Sequence, residues 1–457
     1  MSKHLHFIGI CGTAMGSTAV ALRQLGYTIS GSDEKVYPPM SDVLREAGIT
    51  LVEGYQAATL PPNADLYIVG NAISRGNEEL ETLLERKLPY VSMAELLKQE
   101  VIQGKRSFVV SGTHGKTTTT TMLAWIFENA GRDPGFMIGG VPENFPTGAR
   151  FNHSDLFVIE GDEYDTAYFD KRSKFLHYLP ECAIVNNIEF DHADIFRDLS
   201  DILLTFQRLL NSVPRNGLVL MNGDDPNCLS LKSYAPVKTV GTGAACSERI
   251  VITEVTPEST AFEINGVAFS VPMIGEFNVR NASMCICAAR HAGLSDEEIR
   301  AGLASFKGIR RRQTVRGEVG GITVIDDFGH HPTAIRETLR GFRQKYPGRR
   351  LWAVFEPRSN TSRRNVLQDQ LIEALKKADG SIVAAVANPE KVAVAERLDV
   401  SVVAAAVAAS GHPCFHEISP DSIITRLKAE TKSGDVIIIF SNGGFDGIHG
   451  KLLQALA

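Results

Sequence analysis

The chain contains 457 residues and carries a formal net charge of −6. At roughly 100–200 residues per domain, this length excludes a single small domain and predicts about two to four domains, of which three is the number we expect. Apolar residues make up 44% and charged residues 22% of the chain, which is typical of a folded globular protein and excludes a disordered or fibrous one. The mildly acidic balance argues against a nucleic-acid partner and against a basic membrane-binding surface. The lack of an apolar run of about 18 residues argues against membrane insertion.

Seven cysteines are scattered along the chain, and no two of them are spaced as C-x-x-C. This pattern predicts neither a disulfide framework nor a structural zinc site, and it fits a reducing compartment. The chain starts without a cleavable apolar segment, and no run approaches about 18 consecutive apolar residues. We therefore expect a cytoplasmic enzyme without an obligate protein partner.

Short apolar runs alternate with longer segments of helical period, which predicts an α/β fold of parallel strands and crossover helices. The N-terminal part, residues 1–105, is predicted to form a Rossmann-like domain. Its predicted strands are Leu5–Ile10, Tyr27–Ser30, Thr50–Val52, Leu66–Val69 and Tyr90–Val91.

The turn after the first of these strands is rich in glycine and is expected to open a helix. Gly9, Gly12 and Gly16 have the spacing G-x-x-G-x-x-x-G, whereas the dinucleotide fingerprint requires G-x-G-x-x-G. Ser32 and Asp33 follow about twenty residues later, at the end of the second predicted strand. The spacing disfavours a nicotinamide cofactor and leaves two interpretations, a different diphosphate ligand or a purely structural turn.

A polar stretch over residues 98–106 predicts a boundary near residue 105 and a second domain over residues 106–312. We expect a parallel sheet there, then a small β part between Ile250 and Val271, and a helix after Gly275. The predicted strands of the sheet are Ser107–Ser111, Leu156–Glu160, Cys182–Asn186 and Leu218–Met221.

The most informative motif follows the strand Ser107–Ser111. Backbone N–H groups of a glycine-rich turn and the positive end of the next helix form a cradle for phosphate oxygens. Lys116 is expected to reach the terminal phosphates, and the Thr117 hydroxyl to ligate Mg²⁺. The motif departs from the common G-x-x-x-x-G-K-[ST] form because Val110 stands where that form has its first glycine. It predicts a P-loop ATPase domain, and it reads Gly112-Thr113-His114-Gly115-Lys116-Thr117-Thr118.

Acidic residues follow two later strands of the same predicted sheet. Glu160 ends one strand, and His192 lies among aspartates beyond the next. Since the carboxyl ends of parallel strands meet at one edge of a sheet, both loops are expected to converge on the phosphate loop. Glu160 and His192 are therefore candidate metal ligands beside Thr117. The alternative is a pair of solvated acidic loops, and a histidine would be an unusual ligand for Mg²⁺.

A third, Rossmann-like domain is predicted over residues 313–457, after the basic turn at residues 310–312. His330 and His331 follow its first strand and precede Pro332, which is expected to start a helix. A catalytic role and helix capping are the two interpretations of His331. The predicted elements of this domain are the strands Ile322–Asp326, Leu351–Phe355, Ser381–Val386 and Val436–Phe440 and the helix Val400–Ala409.

The phosphate loop, the glutamate-rich strand end and the run Asn-x-Glu-x-Asp-His together resemble motifs of the Mur ligase family, the ATP-dependent amide-bond-forming enzymes of bacterial cell-wall synthesis. Residues 275–282, GEFNVRNA, resemble the family's G-x-x-N-x-x-N-A helix start, and residues 310–312 resemble its basic turn. Residues 326–332, DDFGHHP, are similar to the D-D-Y-G-H-H-P of members that act on muramate. The resemblance spans essentially the whole chain.

The resemblance implies that residues 1–105 bind UDP-N-acetylmuramate, residues 106–312 bind ATP and Mg²⁺, and residues 313–457 bind a peptide substrate. The implied catalytic residues are Lys116, Glu160, His192 and His331, and the implied metal ligands are Thr117, Glu160 and His192. The implied ATP-binding residues are Gly112, Thr113, His114, Gly115, Lys116, Thr117, Thr118, Asn278, Asn281 and Arg311. The implied UDP-N-acetylmuramate-binding residues are Gly12, Thr13, Met15, Ser32, Asp33, Asn71, Ser74 and Arg75. The implied peptide-binding residues are Arg358, Ser359, Asn360 and Asn442.

Two interpretations of single residues stay open beside these roles. A helix-capping role explains Asn278 equally well. Arg358 is either a plain surface arginine or a ligand that grips a peptide carboxylate through two parallel hydrogen bonds.

Two activities of the family fit the chain: addition of L-alanine to UDP-N-acetylmuramate, and addition of the recycled tripeptide L-alanyl-γ-D-glutamyl-meso-diaminopimelate. Residues 37–40, 170–175, 356–361 and 441–449 resemble the tripeptide-adding member. The alanine-adding member typically has Q-P-H-R-Y-[ST]-R where this chain has EPRSNTS from residue 356. We expect the tripeptide activity, through an acyl phosphate and with release of ADP and phosphate, and alanine addition is the alternative.

Overall fold

The computed structural model describes residues 2–457. The chain folds into two compact units, and each is described by itself. The first unit comprises Met1–Glu189, Ser200–Arg249 and Ser283–Phe306, and the second comprises Phe190–Leu199, Ile250–Ala282 and Lys307–Ala457. Helices and strands alternate in both units, as the sequence pattern predicts.

The first unit opens with alternating strands and helices, followed by a π-helical turn at Lys98–Ile102. They are β1 (His4–Ile8), α1 (Thr13–Gln24), β2 (Thr28–Asp33), α2 (Met40–Glu46), β3 (Thr50–Glu53), β4 (Leu66–Val69), α3 (Glu78–Glu85), β5 (Tyr90–Ser92) and α4 (Met93–Leu97). The strands form a parallel sheet in the order β3-β2-β1-β4-β5. Strand β4 is buried throughout, as expected for a strand covered on both faces. All five predicted strands are present.

A second sheet of the first unit carries the phosphate loop. Its region contains β6 (Arg106–Ser111), α5 (Lys116–Asn129), β7 (Gly135–Met137), β8 (Ala149–Arg150), β9 (Leu156–Glu160), β10 (Asp165–Ala167), β11 (Asp170–Ser173), β12 (Pro180–Val185), α6 (Leu199–Asn211), β13 (Leu218–Asn222), α7 (Pro226–Leu229) and β14 (Val237–Gly241). The sheet order is β14-β13-β12-β6-β9-β7-β8, parallel except at β8, and β10 and β11 form a separate antiparallel pair. Strands β12, β6 and β9 are neighbours, so the loops after them start from one edge of the sheet.

The remaining chain starts with β15 (Glu248–Val255), which pairs with β14 through Glu248 and Arg249 and with β16 through its later residues. The further elements are β16 (Thr260–Ile264), β17 (Val267–Val271), α8 (Glu276–His291), α9 (Asp296–Ala304), β18 (Thr314–Val319), β19 (Ile322–Asp327), α10 (Pro332–Lys345), β20 (Leu351–Phe355), α11 (Gln368–Leu375), β21 (Gly380–Ala384), α12 (Val400–Ala408), β22 (Cys414–Glu417), α13 (Pro420–Glu430), β23 (Val436–Phe440) and α14 (Ile448–Leu456). The hairpins expected between residues 250 and 271 and the helix expected after Gly275 are confirmed.

The second unit is built on a six-stranded sheet in the order β18-β19-β23-β20-β21-β22, in which only the edge strand β18 is antiparallel. Alternating side chains of the central strands enter two separate apolar cores, one on each face. Ile438 and Phe440 of β23 belong to one core, and Ile437 and Ile439 belong to the other. This two-sided burial is the reason that the central strands read as continuous apolar runs.

The short segment Phe190–Leu199 belongs to the second unit, although it follows strand β12 of the first. Three hydrogen bonds hold it there. The His331 ring bonds Phe190 O at 3.3 Å, Ala193 N donates to Thr361 Oγ1 at 3.2 Å, and Asn360 Nδ2 donates to Asp194 Oδ2 at 2.7 Å. Among residues 2–457, no helix combines the length and the apolar character needed to cross a membrane.

Candidate active site

The phosphate loop connects the buried strand β6 to helix α5, which begins at Lys116. Gly112 and Gly115 have φ values of +128° and +80°, a backbone region that favours glycine. A Cβ on Gly112 would lie 3.0 Å from Asn186 N, so the loop also needs glycine there for close packing. Asn187 fixes the loop further, because its Oδ1 accepts from His114 N at 2.7 Å and its carbonyl accepts from Thr113 N at 3.0 Å.

The Lys116 side chain is 14% exposed in this loop and is paired with a carboxylate. Its Nζ lies 2.9 Å from both carboxylate oxygens of Glu163 and donates to Gly112 O at 2.7 Å. Burial lowers the pKa of Lys116, but the surrounding carboxylates of Glu163, Asp162 and Glu160 outweigh it and raise the pKa above its ordinary value. The ammonium is therefore charged and held at the phosphate cradle. Glu163 is a site residue that the sequence pattern did not single out.

Thr117 and Glu160 come together as predicted. Thr117 Oγ1 donates to Glu160 Oε1 at 2.9 Å, and Gly139 N donates to Glu160 Oε2 at 2.8 Å. A hydroxyl and a carboxylate in contact at a strand end are the oxygen ligands that Mg²⁺ prefers. The expected convergence of these loops is thus present in the first unit for two of the three candidate metal ligands.

A second lysine balances the acidic residues around Lys116. Lys174 Nζ lies 2.7 Å from Asp162 Oδ2. Burial raises the pKa of Asp162, but Lys174 and Lys116 outweigh it and lower the pKa below its ordinary value. Asp162 is therefore ionised, and the cluster contains two cations and three carboxylates.

Two other predicted residues of the phosphate loop are Thr118 and His114. Thr118 lies in the first turn of α5 with 7% of its surface exposed. The His114 ring nitrogen Nε2 lies 2.8 Å from Glu189 Oε2, so the side chain of His114 is engaged within the unit. The loop backbone, rather than this imidazole, is the part of the motif that is shaped for phosphate.

The glycine-rich turn of the first sheet is organised by Asp33. Asp33 Oδ2 accepts from Cys11 N at 2.8 Å, which fixes the turn between Gly9 and Gly12. Ser32 is fully buried, and its hydroxyl donates a hydrogen bond to the Glu79 carboxylate. Burial raises the pKa of Glu79. The Asp33 side chain supports the turn and the Ser32 side chain is bound to α3, an arrangement that favours indirect roles in ligand binding.

The remaining residues predicted for UDP-N-acetylmuramate differ in accessibility. Gly12 precedes α1, and Thr13 is the exposed first residue of that helix, whereas Met15 is buried. Asn71 and Ser74 are exposed in the loop after β4. Arg75 pairs with Glu81 through two hydrogen bonds of 2.9 and 3.0 Å.

The predicted nucleotide residues Asn278, Asn281 and Arg311 lie in the second unit. Asn278 is not the capping residue of α8, which begins at Glu276, and its amide donates to Ile274 O at 2.8 Å. Asn281 Nδ2 lies 3.5 Å from Asn278 Oδ1, and both residues are buried. Arg311 Nη2 donates to the carbonyls of Ser441 and Gly443 at 2.9 and 2.6 Å.

His192 also lies in the second unit, in the segment Phe190–Leu199. Its φ is +55°, and its backbone N donates to Asp191 Oδ1 at 2.7 Å. Burial raises the pKa of Asp191, but His192, His330, His331 and a hydrogen bond from Thr361 outweigh it and hold the pKa below its usual range. Asp191 is therefore a buried, ionised carboxylate.

His331 caps helix α10. Its Nδ1 accepts from Thr333 N at 3.2 Å, so Nε2 carries the hydrogen and donates to Phe190 O at 3.3 Å. Both ring nitrogens are engaged, and only 3% of the residue is exposed. Of the two interpretations of His331, this geometry supports helix capping.

The residues predicted for the peptide lie on two neighbouring strand ends, after β20 and β23. Arg358 lies across Gly443: a Cβ there would be 2.6 Å from Arg358 Cζ. The Arg358 Nη1 atom is 3.7 Å from Glu356 Oε1, and 45% of the Arg358 side chain is exposed. Asn442 Oδ1 is buried without a hydrogen-bond partner among residues 2–457.

Ser359 and Asn360 belong to a turn that its own side chains stabilise. Ser359 Oγ and Ser362 Oγ lie 2.9 Å apart, and the hydroxyl of each accepts from the backbone N of the other at 3.0 Å. Asn360 is held by Asp194, as described above, and by the Arg363 guanidinium. This turn lines a cleft that also contains Arg364, a residue that the sequence pattern did not select.

The fold and the phosphate loop define the class of protein, and comparison with known families agrees. The family model "Mur ligase family, catalytic domain" matches residues 4–104, "Mur ligase middle domain" matches 110–289, and "Mur ligase, glutamate ligase domain" matches 310–443. The chain belongs to the Mur ligase family and has its three-domain α/β fold.

Within the family, the chain is more similar to some members than to others. The UDP-N-acetylmuramate–L-alanyl-γ-D-glutamyl-meso-2,6-diaminoheptandioate ligase of Escherichia coli is 43% identical over 99% of this chain and 98% of the relative. The UDP-N-acetylmuramate–L-alanine ligase of Myxococcus xanthus is 34% identical over 100% of this chain and 95% of the relative. The crystal structure of a murein peptide ligase from Psychrobacter arcticus has a TM-score of 0.72 and 38% identity, and covers 100% of this chain and 99% of that one.

Proposed function

We propose that this ligase joins the tripeptide L-alanyl-γ-D-glutamyl-meso-diaminopimelate to UDP-N-acetylmuramate, with conversion of ATP to ADP and phosphate. The observation that carries the proposal is the 43% identity to the E. coli enzyme of that name over essentially the full length of both chains. The M. xanthus alanine ligase is less similar, at 34%. The product would return a recycled peptide to cell-wall synthesis.

The phosphate loop and Lys116 support the ATP-dependent step. A carboxylate resists attack by an amine, whereas an acyl phosphate carries a good leaving group. Phosphoryl transfer requires positioned donors and neutralised charge more than covalent help from the protein. The backbone N–H groups of residues 112–117 and the charged Lys116 supply both, next to the carboxyl end of β6.

We infer that Mg²⁺ is held by Thr117 and Glu160 and that His192 is a third ligand. The support is the chemistry of the donors, a hydroxyl and a carboxylate 2.9 Å apart beside the phosphate loop. When bound, the ion would neutralise phosphate charge during transfer. Thr117 also orients Glu160, because its hydroxyl bonds one carboxylate oxygen while Gly139 N bonds the other.

We assign the substrates to three domains: residues 1–105 to UDP-N-acetylmuramate, residues 106–312 to ATP, and residues 313–457 to the peptide. The stretches matched by the family models support this division. Asn278, Asn281 and Arg311 are assigned to the nucleotide on the same motif resemblance. We place the reaction in the cytoplasm, because all seven cysteines are free and ATP is consumed.

The experiment that tests the proposal is phosphate release by the purified protein with ATP, Mg²⁺ and UDP-N-acetylmuramate. The tripeptide is compared with L-alanine as the amine donor. Preference for the tripeptide in kcat/KM supports the proposal, and preference for L-alanine overturns it in favour of alanine addition. Phosphate release that needs neither donor would instead indicate an uncoupled ATPase.

A further inference from the structure

Two consecutive arginines follow the turn at residues 359–362, and they differ in burial and in hydrogen bonding. Arg363 is 6% exposed, and its guanidinium donates to Ser359 O and to Asn360 Oδ1. Arg364 is half-buried, and its guanidinium has no hydrogen-bond or ion-pair partner in the described part of the chain, residues 2–457. A partly exposed guanidinium without a partner in the chain is available to an anion supplied from outside it.

Arg364 lines a shallow cleft of the second unit that opens to solvent. Hydroxyl groups of Ser359 and Ser362 line it together with the guanidinium, whereas Leu371 and Leu398 provide an apolar wall. A cation beside an aliphatic wall suits a carboxylate attached to a short aliphatic group.

The two serines distinguish this cleft from the pattern of the alanine-adding member. That pattern, Q-P-H-R-Y-[ST]-R, has arginine at the positions of Ser359 and Ser362. Two long cationic side chains are therefore replaced by small ones that bond each other at 2.9 Å. With serine at both positions, Arg364 is the arginine that lines the cleft.

The position of the cleft indicates which end of the donor it receives. Asp191 lines the cleft and precedes His192, a proposed ligand of Mg²⁺. Thr361 lines it as well and accepts a hydrogen bond from Ala193 N. The donor reacts through its amino-terminal amine, so we take the amino-terminal end of the donor as the part that comes closest to His192. The nearest free carboxylate to that amine is the α-carboxylate of the D-glutamyl residue, which the γ linkage leaves unblocked.

We propose that Arg364 binds the free α-carboxylate of the donor's D-glutamyl residue and is a specificity-determining residue for γ-linked peptides. The planar guanidinium can bind that carboxylate through two parallel hydrogen bonds, and the apolar wall receives the alanyl methyl group. The inference rests on the proposed function, since it takes the tripeptide as the donor.

The test combines one substitution with one change in the donor. Arg364→Met removes the charge and keeps much of the aliphatic bulk, and a donor with D-isoglutamine in place of D-glutamate removes the carboxylate charge. With wild-type enzyme, we expect amidation of the donor to raise its KM at least about tenfold, the size of a charge-assisted hydrogen bond. In Arg364→Met, we expect the KM for the acidic donor to rise by a similar factor and amidation to have no further effect.

Two controls establish that the change in KM comes from the lost contact with the donor. Arg340→Met removes a charge from an exposed pair with Glu337 on α10, and it is expected to leave the KM for the tripeptide unchanged. The thermal midpoint of Arg364→Met within about 2 °C of wild type would show that the variant is folded.

Three results would overturn the proposal: a KM for the acidic donor within about twofold of wild type, a further loss on amidation in Arg364→Met, or loss of the Arg364 effect with a tripeptide that ends in L-lysine. The last result would show that Arg364 binds a carboxylate of the diaminopimelate residue instead. Failure of the proposed function is distinguishable, because the wild-type enzyme would then not use the tripeptide at all.

Discussion

The ammonium of Lys116 lies 2.9 Å from each of the two carboxylate oxygens of Glu163, inside the phosphate loop. Glu163 is 3% exposed, so the pair is shielded from solvent. A nucleotide phosphate that enters the loop competes with this carboxylate for the same ammonium. Glu163 therefore acts as an internal counter-ion of the lysine and opposes the binding of a polyanion.

Replacing Glu163 by glutamine is expected to tighten the binding of metal-free ADP about threefold or more, because it removes one negative charge beside the phosphates. The amide oxygen still accepts a hydrogen bond from Lys116. Isothermal titration calorimetry of ADP in the presence of a chelator measures the change. Glu297→Gln, at an exposed position on α9, is the matched control. Unchanged or weaker ADP binding in Glu163→Gln would contradict the counter-ion role.

Lys116→Met is expected to lower kcat at least about 100-fold, since it removes the positioned charge that stabilises the transferring phosphoryl group. The KM for UDP-N-acetylmuramate should change little. Initial rates of phosphate release with the complete substrate set measure both quantities. Retention of more than about a tenth of the wild-type kcat would show that this lysine is not essential to phosphoryl transfer.

Gly443→Ala places a methyl group 2.6 Å from Arg358 Cζ and so displaces that guanidinium. We expect the KM for the peptide donor to rise about threefold to tenfold, provided that Arg358 binds the donor. The double variant with Arg358→Ala is the informative control. It should be no worse than Arg358→Ala alone, because both changes act on one contact. Additive losses would show that Gly443 acts independently of Arg358.

His331 is expected to act as a helix cap. His331→Ala should lower the free energy of unfolding by about 1 kcal/mol, the usual size of a lost cap. Asparagine is a good capping residue, so His331→Asn should recover most of that stability and retain at least about a fifth of kcat. Urea unfolding and steady-state rates measure the two effects. A stable His331→Asn protein without activity would restore the catalytic interpretation.

His6 predicts a loss of stability at acidic pH. The ring is 1% exposed, and burial, with a smaller contribution from His4, lowers its pKa from 6.5 to about 4. Above pH 6.5 the ring is neutral in folded and unfolded chains. Between pH 6.5 and about 4 only the unfolded chain takes up the proton. The free energy of unfolding therefore decreases as the pH is lowered through that window.

The effect of His6 can be separated from other titrating groups with His6→Gln. Relative to this variant, the wild-type protein should lose about 2 kcal/mol of unfolding free energy between pH 7.5 and pH 5. Urea unfolding at the two pH values measures the difference. Parallel losses in the two proteins would show that His6 is not the group that titrates.

The elements that sequence predicts best are the strands buried on both faces. Leu156–Glu160, Leu351–Phe355 and Val436–Phe440 have the predicted bounds, because a run of apolar residues has no other place in a covered parallel sheet. Strands β10 and β11 were not predicted. They read DTA and DKRS, and they form through pairing with each other rather than through an apolar pattern.

In the candidate active site, too, some contacts are predictable from the sequence and others are not. The contact of Thr117 with Glu160 is predictable, because Glu160 ends β9 and Thr117 lies at the start of the helix that follows the neighbouring parallel strand β6. The indirect role of Ser32 is not predictable, because nothing in the local sequence indicates that Glu79 accepts a hydrogen bond from its hydroxyl. Arg363 and Arg364 are indistinguishable in sequence, and only the geometry of the turn before them decides which one is buried.

The placement of Phe190–Leu199 with the second unit has a consequence for recombination between members of the family. A chimera that exchanges only residues 313–457 would import a new partner for Asp194 and for the Ala193 amide while keeping the old segment. Compatible grafts have to carry residues 190–199 along with the C-terminal part. The segments that have to be exchanged together are therefore discontinuous in the gene. A homologous crossover near codon 312 would separate Ala193 and Asp194 from their partners Thr361 and Asn360.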